Sequence, residues 1–416
     1  MRNEKLAIIV SIVKSGSELD ECERSLDELE RLLETAGAEV YSRVIQVKDS
    51  YDPRTCIGSG KVREIADMAS LASVGMIVFD FELSPMQIRN LENDIGDVIV
   101  IDRSMLILDI FALHATSGEG KLQVEVAQLK YTAPRLVGKG VELSRQGGGI
   151  GTRGPGETKL ETDKRHLREK ISALEARLRE LESNRAIMRS QRDRSDMPKI
   201  ALVGYTNSGK STLLNRFTDA GVLSEDKLFA TLDPTTRKMQ LPSGETVLLT
   251  DTVGFIRKLP HHLISAFKST LDEVRFADIL LVVCDISDAE MNEQLKVTSD
   301  IISELGAGDK PLIYVYNKCD RCQDLPEKRE GAVLVSAKTG QGIDDLYDKI
   351  TETVRAGKRN VKLLVPYSMQ SAVNDVYNNA VVNSTEYRDD GVLIDAVLDA
   401  RGLGLYKKYI VGDVLK

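Results

Sequence analysis

The 416-residue sequence predicts an α/β fold in four parts. These are an N-terminal α/β domain over residues 1–118, a basic helical coiled-coil hairpin arm over 119–197, a second α/β domain with a mostly parallel sheet over 198–356, and a small C-terminal α+β domain over 357–416. Three observations predict it. Apolar runs alternate with amphipathic segments before residue 118 and again after 198, the pattern of strands crossing over through helices. A leucine-seamed, lysine- and arginine-rich stretch separates the two regions. And "KIALVG" runs through the glycine-bearing "GYTNSGKS" into "STLLNRF", a strand, a tight loop and a helix.

In the first region "LAIIVSIV", "AEVYSRVIQV", "GMIVFDF" and "DVIVID" read as strands, with "SELDECERSLDELERLLETAG", "KVREIADMASLA" and "SPMQIRNLENDIG" as helices between them. "LAIIVSIV" has the flavour of a signal-peptide core, but it is short, Lys14 follows at once and no small-residue cleavage site appears, so it reads as a buried strand. No run approaches the roughly 18 apolar residues a membrane helix needs. A cytoplasmic protein without a membrane anchor is expected. The five cysteines lie far apart and form no disulfide framework; Cys319 and Cys322 make a CxxC with no second pair or histidine cluster beside it. Reduced thiols fit this better than a metal or redox centre.

In the arm, "KLQVEVAQLKYTAPRL" is helical up to its proline, and "SRQGGGIGTRGPGE" cannot be regular structure. "ETKLETDKRHLREKISALEARLRELESNRAIMRSQRDRS" is helical, with Leu167, Ile171, Leu174, Leu178 and Leu181 stepping by four and three. That seam covers about two heptads, which suits an antiparallel hairpin with the preceding helix. Residues 121–196 hold 17 Lys and Arg against 11 Asp and Glu, a local excess of +6 on a chain of net charge −8. The remainder is near −14, so a basic arm projects from an acidic body. That balance argues against a protein that coats DNA through its overall field. The tail after residue 358 reads as strands "VKLLVPY" and "GVLIDAVLDA" with a helix around "SMQSAVNDVYNNA".

Gly204 to Ser211, "GYTNSGKS", matches G-x-x-x-x-G-K-[ST] between a strand and a helix. Such a loop turns its backbone N–H groups onto phosphate oxygens, and the helix N-terminus adds its dipole. Lys210 would reach the β- and γ-phosphates, and the Ser211 hydroxyl would enter a Mg²⁺ shell. "CIGSGKV" also contains Gly60-Lys61, but Thr55 stands where the first glycine belongs and no Ser or Thr follows the lysine; it reads as a loop that starts a helix. In "YVYNKCD", Asn317, Lys318, Cys319 and Asp320 follow a strand about a hundred residues later. The Asp320 carboxylate can accept side by side from guanine N1–H and the 2-amino group. Adenine would leave it facing an acceptor, at a cost of several kcal/mol. Lys318 can lie over the base face, and Asn317 can tie this loop to the phosphate loop. "VLVSAKTG" offers Ser336, Ala337 and Lys338 towards the guanine O6. The nucleotide expected is GTP.

"LLTDTVGF" then reads as the loop that senses the γ-phosphate. Asp251 ends a strand and would hold Mg²⁺ through a water, Thr252 and Val253 follow, and the Gly254 N–H would meet the γ-phosphate. "FATLDPTTR" supplies the other switch, with Phe229, Ala230, Thr231, Leu232 and Asp233 near the nucleotide. Thr231 is the expected second Mg²⁺ ligand, ahead of Thr235 and Thr236, which Pro234 sets in a separate turn. Phe255 stands where a glutamine often aims the attacking water. The chain should therefore bind GTP well and hydrolyse it slowly alone, and something else must complete the site. Asn207 has two readings: a ligand holding K⁺ near the phosphates, or a brace for the loop.

These loops in this order resemble the Obg–HflX group of translation-factor-related P-loop GTPases, with a Ras-like sheet. "QGGGIGTRGPGETKLETDKR" ahead of them, with "FATLDPTTR" and "DTVGFI", is similar to the HflX family across nearly the whole chain. The resemblance implies a ribosome-stimulated GTPase, a monomer that binds the 50S subunit and splits stalled 70S ribosomes. A glycine-rich tip carrying Arg145, Arg153 and Lys159 suits close approach to ribosomal RNA backbone. A GTP-loaded signalling switch with a protein partner and an RNA chaperone are the alternatives. GTP-dependent pelleting with 50S subunits separates them.

Overall fold

The computed structural model describes residues 3–134, 155–192, 197–218, 228–229, 233–260, 263, 268–322, 331–356, 359–398 and 400–413. Strand β1 (Asn3–Val13) carries the predicted apolar run, and Ala7 to Val10 are wholly buried. Helix α1 (Leu19–Thr35) turns Leu26, Leu29, Leu32 and Leu33 onto the sheet, the i, i+3, i+6 and i+7 spacing of one apolar stripe. Then come β2 (Glu39–Val47), α2 (Ser59–Leu71), β3 (Val74–Phe79), α3 (Pro85–Ile95) and β4 (Ile99–Asp102). Helix α3 starts sharply because Ser84 and Gln87 cap each other's backbone and Pro85 takes the first turn. The sheet runs β2-β1-β3-β4 and is parallel throughout.

Helix α4 (Arg103–His114) was not anticipated. Asp102 caps it, accepting from the Met105 N–H at 3.0 Å. Helix α5 (Gly118–Thr132) follows, capped by Ser117, and α6 (Pro155–Arg192) packs beside it. The predicted seam is visible in α6: Leu167, Ile171, Leu174, Leu178 and Leu181 are half-buried between exposed neighbours. Lys130–Glu175 and Lys170–Glu125 bridge the two helices at 2.7 and 2.8 Å.

The next domain comprises β5 (Lys199–Val203), α7 (Lys210–Thr218), β6 (Thr235–Gln240), β7 (Thr246–Asp251), α8 (Lys268–Phe276), β8 (Ile279–Asp285), α9 (Met291–Glu304), β9 (Leu312–Asn317), β10 (Val333–Leu334) and α10 (Ile343–Ala356). Its sheet order is β10-β9-β8-β5-β7-β6, with only β6 and β7 antiparallel. Alternate residues feed two cores: Ile200, Leu202, Leu281 and Val283 on one face, Ala201, Val203, Leu280 and Val282 on the other. Carboxyl ends of β5, β7, β8 and β9 open on one edge, where ligands bind in such sheets. The tail adds β11 (Arg359–Val365), α11 (Gln370–Asn379), β12 (Val381–Arg388), β13 (Gly391–Leu398), α12 (Ala400–Leu405) and β14 (Ile410–Asp413), an antiparallel sheet of order β12-β13-β11-β14. Among the described residues no helix is long and apolar enough to cross a membrane.

One apolar cluster crosses from the first domain into this second α/β domain. It joins Leu26, Leu29, Ile107 and Phe111 to Tyr205, Leu228, Phe229, Val253 and Ile256. The N-terminal sheet, α1 and α4 are therefore packed against the loops at the carboxyl edge of β5 and β7.

Candidate nucleotide site

Strand β5 delivers Gly204 to Gly209 as a loop around the start of α7. Asn207 adopts φ +58° and Gly209 φ +94°. A Cβ on Gly209 would lie 2.2 Å from Asn317 Nδ2, so only glycine allows the loop after β9 this close. Lys210 is buried, and its ammonium donates to the carbonyls of Tyr205 at 2.8 Å and Gly204 at 3.2 Å. Burial pulls its pKa down to about 8; the Asp251 carboxylate opposes that shift and the Lys318 charge adds to it. A phosphate would supply the counter-charge. Ser211 Oγ donates to Asp251 Oδ2 at 2.6 Å, and Asp251 is fully buried at the end of β7.

After Asp251 the chain stays beside the phosphate loop. The Phe255 N–H donates to Gly204 O at 3.0 Å and the Thr206 N–H to Phe255 O at 2.7 Å, a parallel bridge extending β7 along β5. Thr252 Oγ1 donates to Leu202 O at 2.6 Å, and Val253 is buried. Gly254 lies so near that a Cβ would sit 2.6 Å from Thr206 Cα and 3.0 Å from Lys210 Nζ. The Phe255 ring is 1% exposed and packs in the core with Val203 and Leu271. The residue that breaks the glutamine pattern points into the core, where it anchors the loop.

At the end of β9, Asn317 Nδ2 donates to Ser208 O at 2.9 Å and its Oδ1 accepts from the Ala337 N–H at 3.0 Å. One amide thus fastens three loops together. Lys318, at φ +64°, donates to Asn207 O at 2.8 Å and pairs with Asp285 Oδ2 at 2.7 Å. Asp320 is exposed, and the Ser336 hydroxyl holds its carboxyl below the usual aspartate range. Cys319 is buried behind it, its N–H on Val335 O at 3.2 Å. Arg216 of α7 donates to the carbonyls of Ala337 at 3.1 Å and Lys338 at 2.6 Å.

In the first switch the Phe229 N–H donates to Thr206 Oγ1 of the phosphate loop at 2.9 Å, while two described side chains are committed elsewhere. Phe229 stacks edge-on against Phe111 of α4, centroids 4.7 Å apart, inside the interdomain core. The Asp233 carboxylate lies on the N-terminus of α5: Oδ2 accepts from the Thr116 N–H (2.9 Å), Thr116 Oγ1 (2.8 Å) and the Ser117 N–H (2.7 Å), and Oδ1 from Ser117 Oγ (2.5 Å). A helix N-terminus offers unpaired donors and positive potential, and it has captured a charge that sequence position alone assigned to the nucleotide's surroundings. Burial alone would raise this carboxyl; the four donors outweigh it and leave the pKa below the ordinary value. Ala230, Thr231 and Leu232 lie outside the described residues, as do Arg145 and Arg153; Lys159 falls on the α6 backbone. Thr235 and Thr236 belong to β6, opposite Asp251 and Thr250.

Reading the sequence missed Arg216 and Asp285. Asp285 had a signal, since it ends the apolar run "ILLVVCD" as Asp251 ends β7. Arg216 had none.

Four family descriptions match the chain: GTP-binding GTPase N-terminal over residues 23–112, GTP-binding GTPase middle region over 114–192, 50S ribosome-binding GTPase over 199–318 and HflX C-terminal domain over 323–402. GTPase HflX of Lacrimispora saccharolytica is 48% identical over 395 residues, covering 94% of this chain and 92% of the relative. GTPase HflX of Escherichia coli K12 is 42% identical over 374 residues, covering 88% and 87%. A solved GTP-binding protein of Sulfolobus solfataricus in complex with GDP is 25% identical, with 85% of this chain and 99% of that one covered and a TM-score of 0.43. With relatives of this identity along nearly its whole length, and family descriptions matched from residue 23 to residue 402, the chain belongs to the HflX family of GTPases.

Proposed function

We propose that this GTPase is a ribosome factor: it binds the 50S subunit through its basic arm in the GTP form, splits stalled 70S ribosomes, and hydrolyses GTP slowly until the ribosome completes its site. The observation that carries the reading is the Asp233 contact. A carboxylate of the first switch sits on the N-terminus of α5, the root of the arm, so a change at the γ-phosphate has a direct mechanical path to the arm. The arm's local charge of +6 on an acidic chain suits a polyanionic partner. Phe255, sunk in the core, supplies no group to orient water, which accords with slow intrinsic turnover.

Ser211 Oγ and Asp251 Oδ2, two hard oxygens 2.6 Å apart at the buried end of β7, fit a hard divalent cation. We assign Mg²⁺ to Ser211 directly and to Asp251 through a water, with Thr231 as the ligand from the first switch. Bound there, Mg²⁺ would neutralise charge on the β- and γ-phosphate oxygens. Lys210 grips the same phosphates, the Gly254 N–H reads the γ-phosphate, and Asp320 selects guanine. Asn207 is the ligand proposed for K⁺. Its backbone is left-handed, and its main-chain carbonyl accepts from Lys318.

Sedimentation with purified 50S subunits under GTP, GDP and no nucleotide tests the reading, alongside gradient profiles of 70S ribosomes. Nucleotide-blind binding would indicate an RNA chaperone, and no binding a signalling switch. Turnover unchanged by 50S would refute ribosomal completion of the site. Equal turnover in KCl and NaCl would refute the role of Asn207 in holding K⁺.

A further inference from the structure

We propose that Tyr205, locked by Glu28 and Arg103 of the N-terminal domain, is a positioning residue for the γ-phosphate-sensing loop, so that the catalytic geometry of the GTPase domain is set partly from outside it. The inference rests on the reading of Gly254 as the γ-phosphate sensor.

Tyr205 is the second residue of the phosphate loop, but its side chain leaves the loop on the side facing the N-terminal domain and is 5% exposed. The hydroxyl accepts from the Arg257 N–H at 2.8 Å and donates to the Glu28 carboxylate on α1. The other oxygen of Glu28 accepts from Arg103, whose guanidinium also donates to Asp80 Oδ1 at 2.8 Å and to the Arg257 carbonyl at 3.3 Å. Arg257 is therefore held at both ends of its backbone: at N–H by a residue of the phosphate loop, at C=O by a residue of α4. Lys258, the next residue, pairs with Asp80 at 2.6 Å, and Ser25 donates to the same oxygen at 2.7 Å.

The placement gives this network its consequence. Arg257 stands three residues after Gly254. Phe255 between them is hydrogen-bonded to Gly204 and Thr206, and Ile256 is wholly buried in the interdomain core. Among the described residues, the backbone of Phe255 is thus bonded to the phosphate loop, and that of Arg257 to the phosphate loop's Tyr205 and to Arg103 of the N-terminal domain. Arg103 and Asp80 are almost completely buried, and ions buried this deeply tolerate little displacement of their partners. A stiff mount of this kind fixes where Gly254 can present its N–H.

Tyr205→Phe keeps the ring and removes the hydroxyl; Glu28→Gln lies in the other domain and touches no nucleotide. In each full-length variant the affinities for GDP and for the non-hydrolysable analogue GMPPNP are measured, with kcat for GTP. The expected result is GDP affinity within about twofold of wild type, with GMPPNP affinity and kcat each lower by about tenfold, the size of loss that small misplacement of a reacting group produces. The double variant should be no worse than either single one, because both break the same chain of bonds. Multiplying losses, GDP and GMPPNP affinities falling together, or kcat unchanged or raised would each overturn the assignment. The GMPPNP-to-GDP ratio tests positioning whatever the ribosome does, so failure here is distinguishable from failure of the 50S reading.

Discussion

Asp233→Ala isolates the contact between the first switch and the arm. The substitution removes one carboxylate that accepts four hydrogen bonds, two from the N–H groups of Thr116 and Ser117 and two from their hydroxyls. It leaves the cap of α5 itself intact, because Ser117 Oγ still accepts from the Gly120 N–H at 2.8 Å. The carboxylate is only half-buried, so each bond belongs at the low end of its range, about 0.5 kcal/mol, and the four together about 2 kcal/mol. That is roughly a thirtyfold change in the local opening equilibrium. Amide hydrogen exchange reads it directly: protection at Thr116 and Ser117 should fall about thirtyfold while the middle of α5 is unaffected. Asp233→Asn keeps one acceptor oxygen but loses the charge and the second acceptor, and should recover about half of that free energy. Unchanged protection in Asp233→Ala would refute the contact, and a uniform loss along α5 would show that the carboxylate holds the helix together and does not tether the switch.

Phe255→Gln restores the side chain that often aims water, yet it should give no gain in intrinsic hydrolysis, because this position faces the core; it should instead cost about 3–5 kcal/mol of stability, seen as a lowered Tm. A Phe255→Gln protein that turned over faster would place the side chain at the phosphates after all. Asp320→Asn should weaken GTP at least a hundredfold and favour xanthosine triphosphate, whose ring offers a carbonyl where guanine has an amine; calorimetry with both nucleotides decides it. Among the five thiols only Cys322 is partly exposed, and burial pushes Cys56 up to about 11, so native protein at pH 8 should release about one equivalent from a disulfide reagent and denatured protein all five. Rapid labelling of more than one thiol would contradict the packing.

What could be read from the sequence and what could not follow one division. The loops whose chemistry depends on residues next to one another were legible: "GYTNSGKS", "NKCD" and "DTVG" carry their own geometry, and β1, β5 and β8 carry their apolar runs. Helix α4, "RSMLILDIFALH", was not. Most of its residues are buried, Arg103 and Phe111 alike, between a sheet on one side and the switch loops on the other, so no polar face marks its period. Strand β12, "VVNSTEYR", lies at the edge of its sheet and mixes polar residues along its length, which weakens the strand signal. The ion network was invisible because its members are far apart in the chain: Glu28 meets Arg103 across 75 positions and Tyr205 across 177.

Several contacts that could not be read from the sequence share a location, and that bears on how the protein works. Phe229, Asp233, Tyr205 and Arg257 all belong to the segments proposed to sense the nucleotide, and all four spend their side chains or backbone on the N-terminal domain and α5. Linkage makes such contacts reciprocal: if GTP changes the free energy of docking between these parts by some amount, any partner that displaces α5 or α4 changes GTP affinity by the same amount. A switch glutamine in place of Phe255 would serve only the phosphate side of that exchange. A buried phenylalanine suits the coupling side: its ring is fixed in the core while its backbone bonds keep the loop on the sheet next to Arg257. On this reasoning the slow hydrolysis proposed above would follow from a loop built to transmit, and the measurable signature is that variants which loosen the mount lose the distinction between GTP and GDP before they lose the ability to bind either.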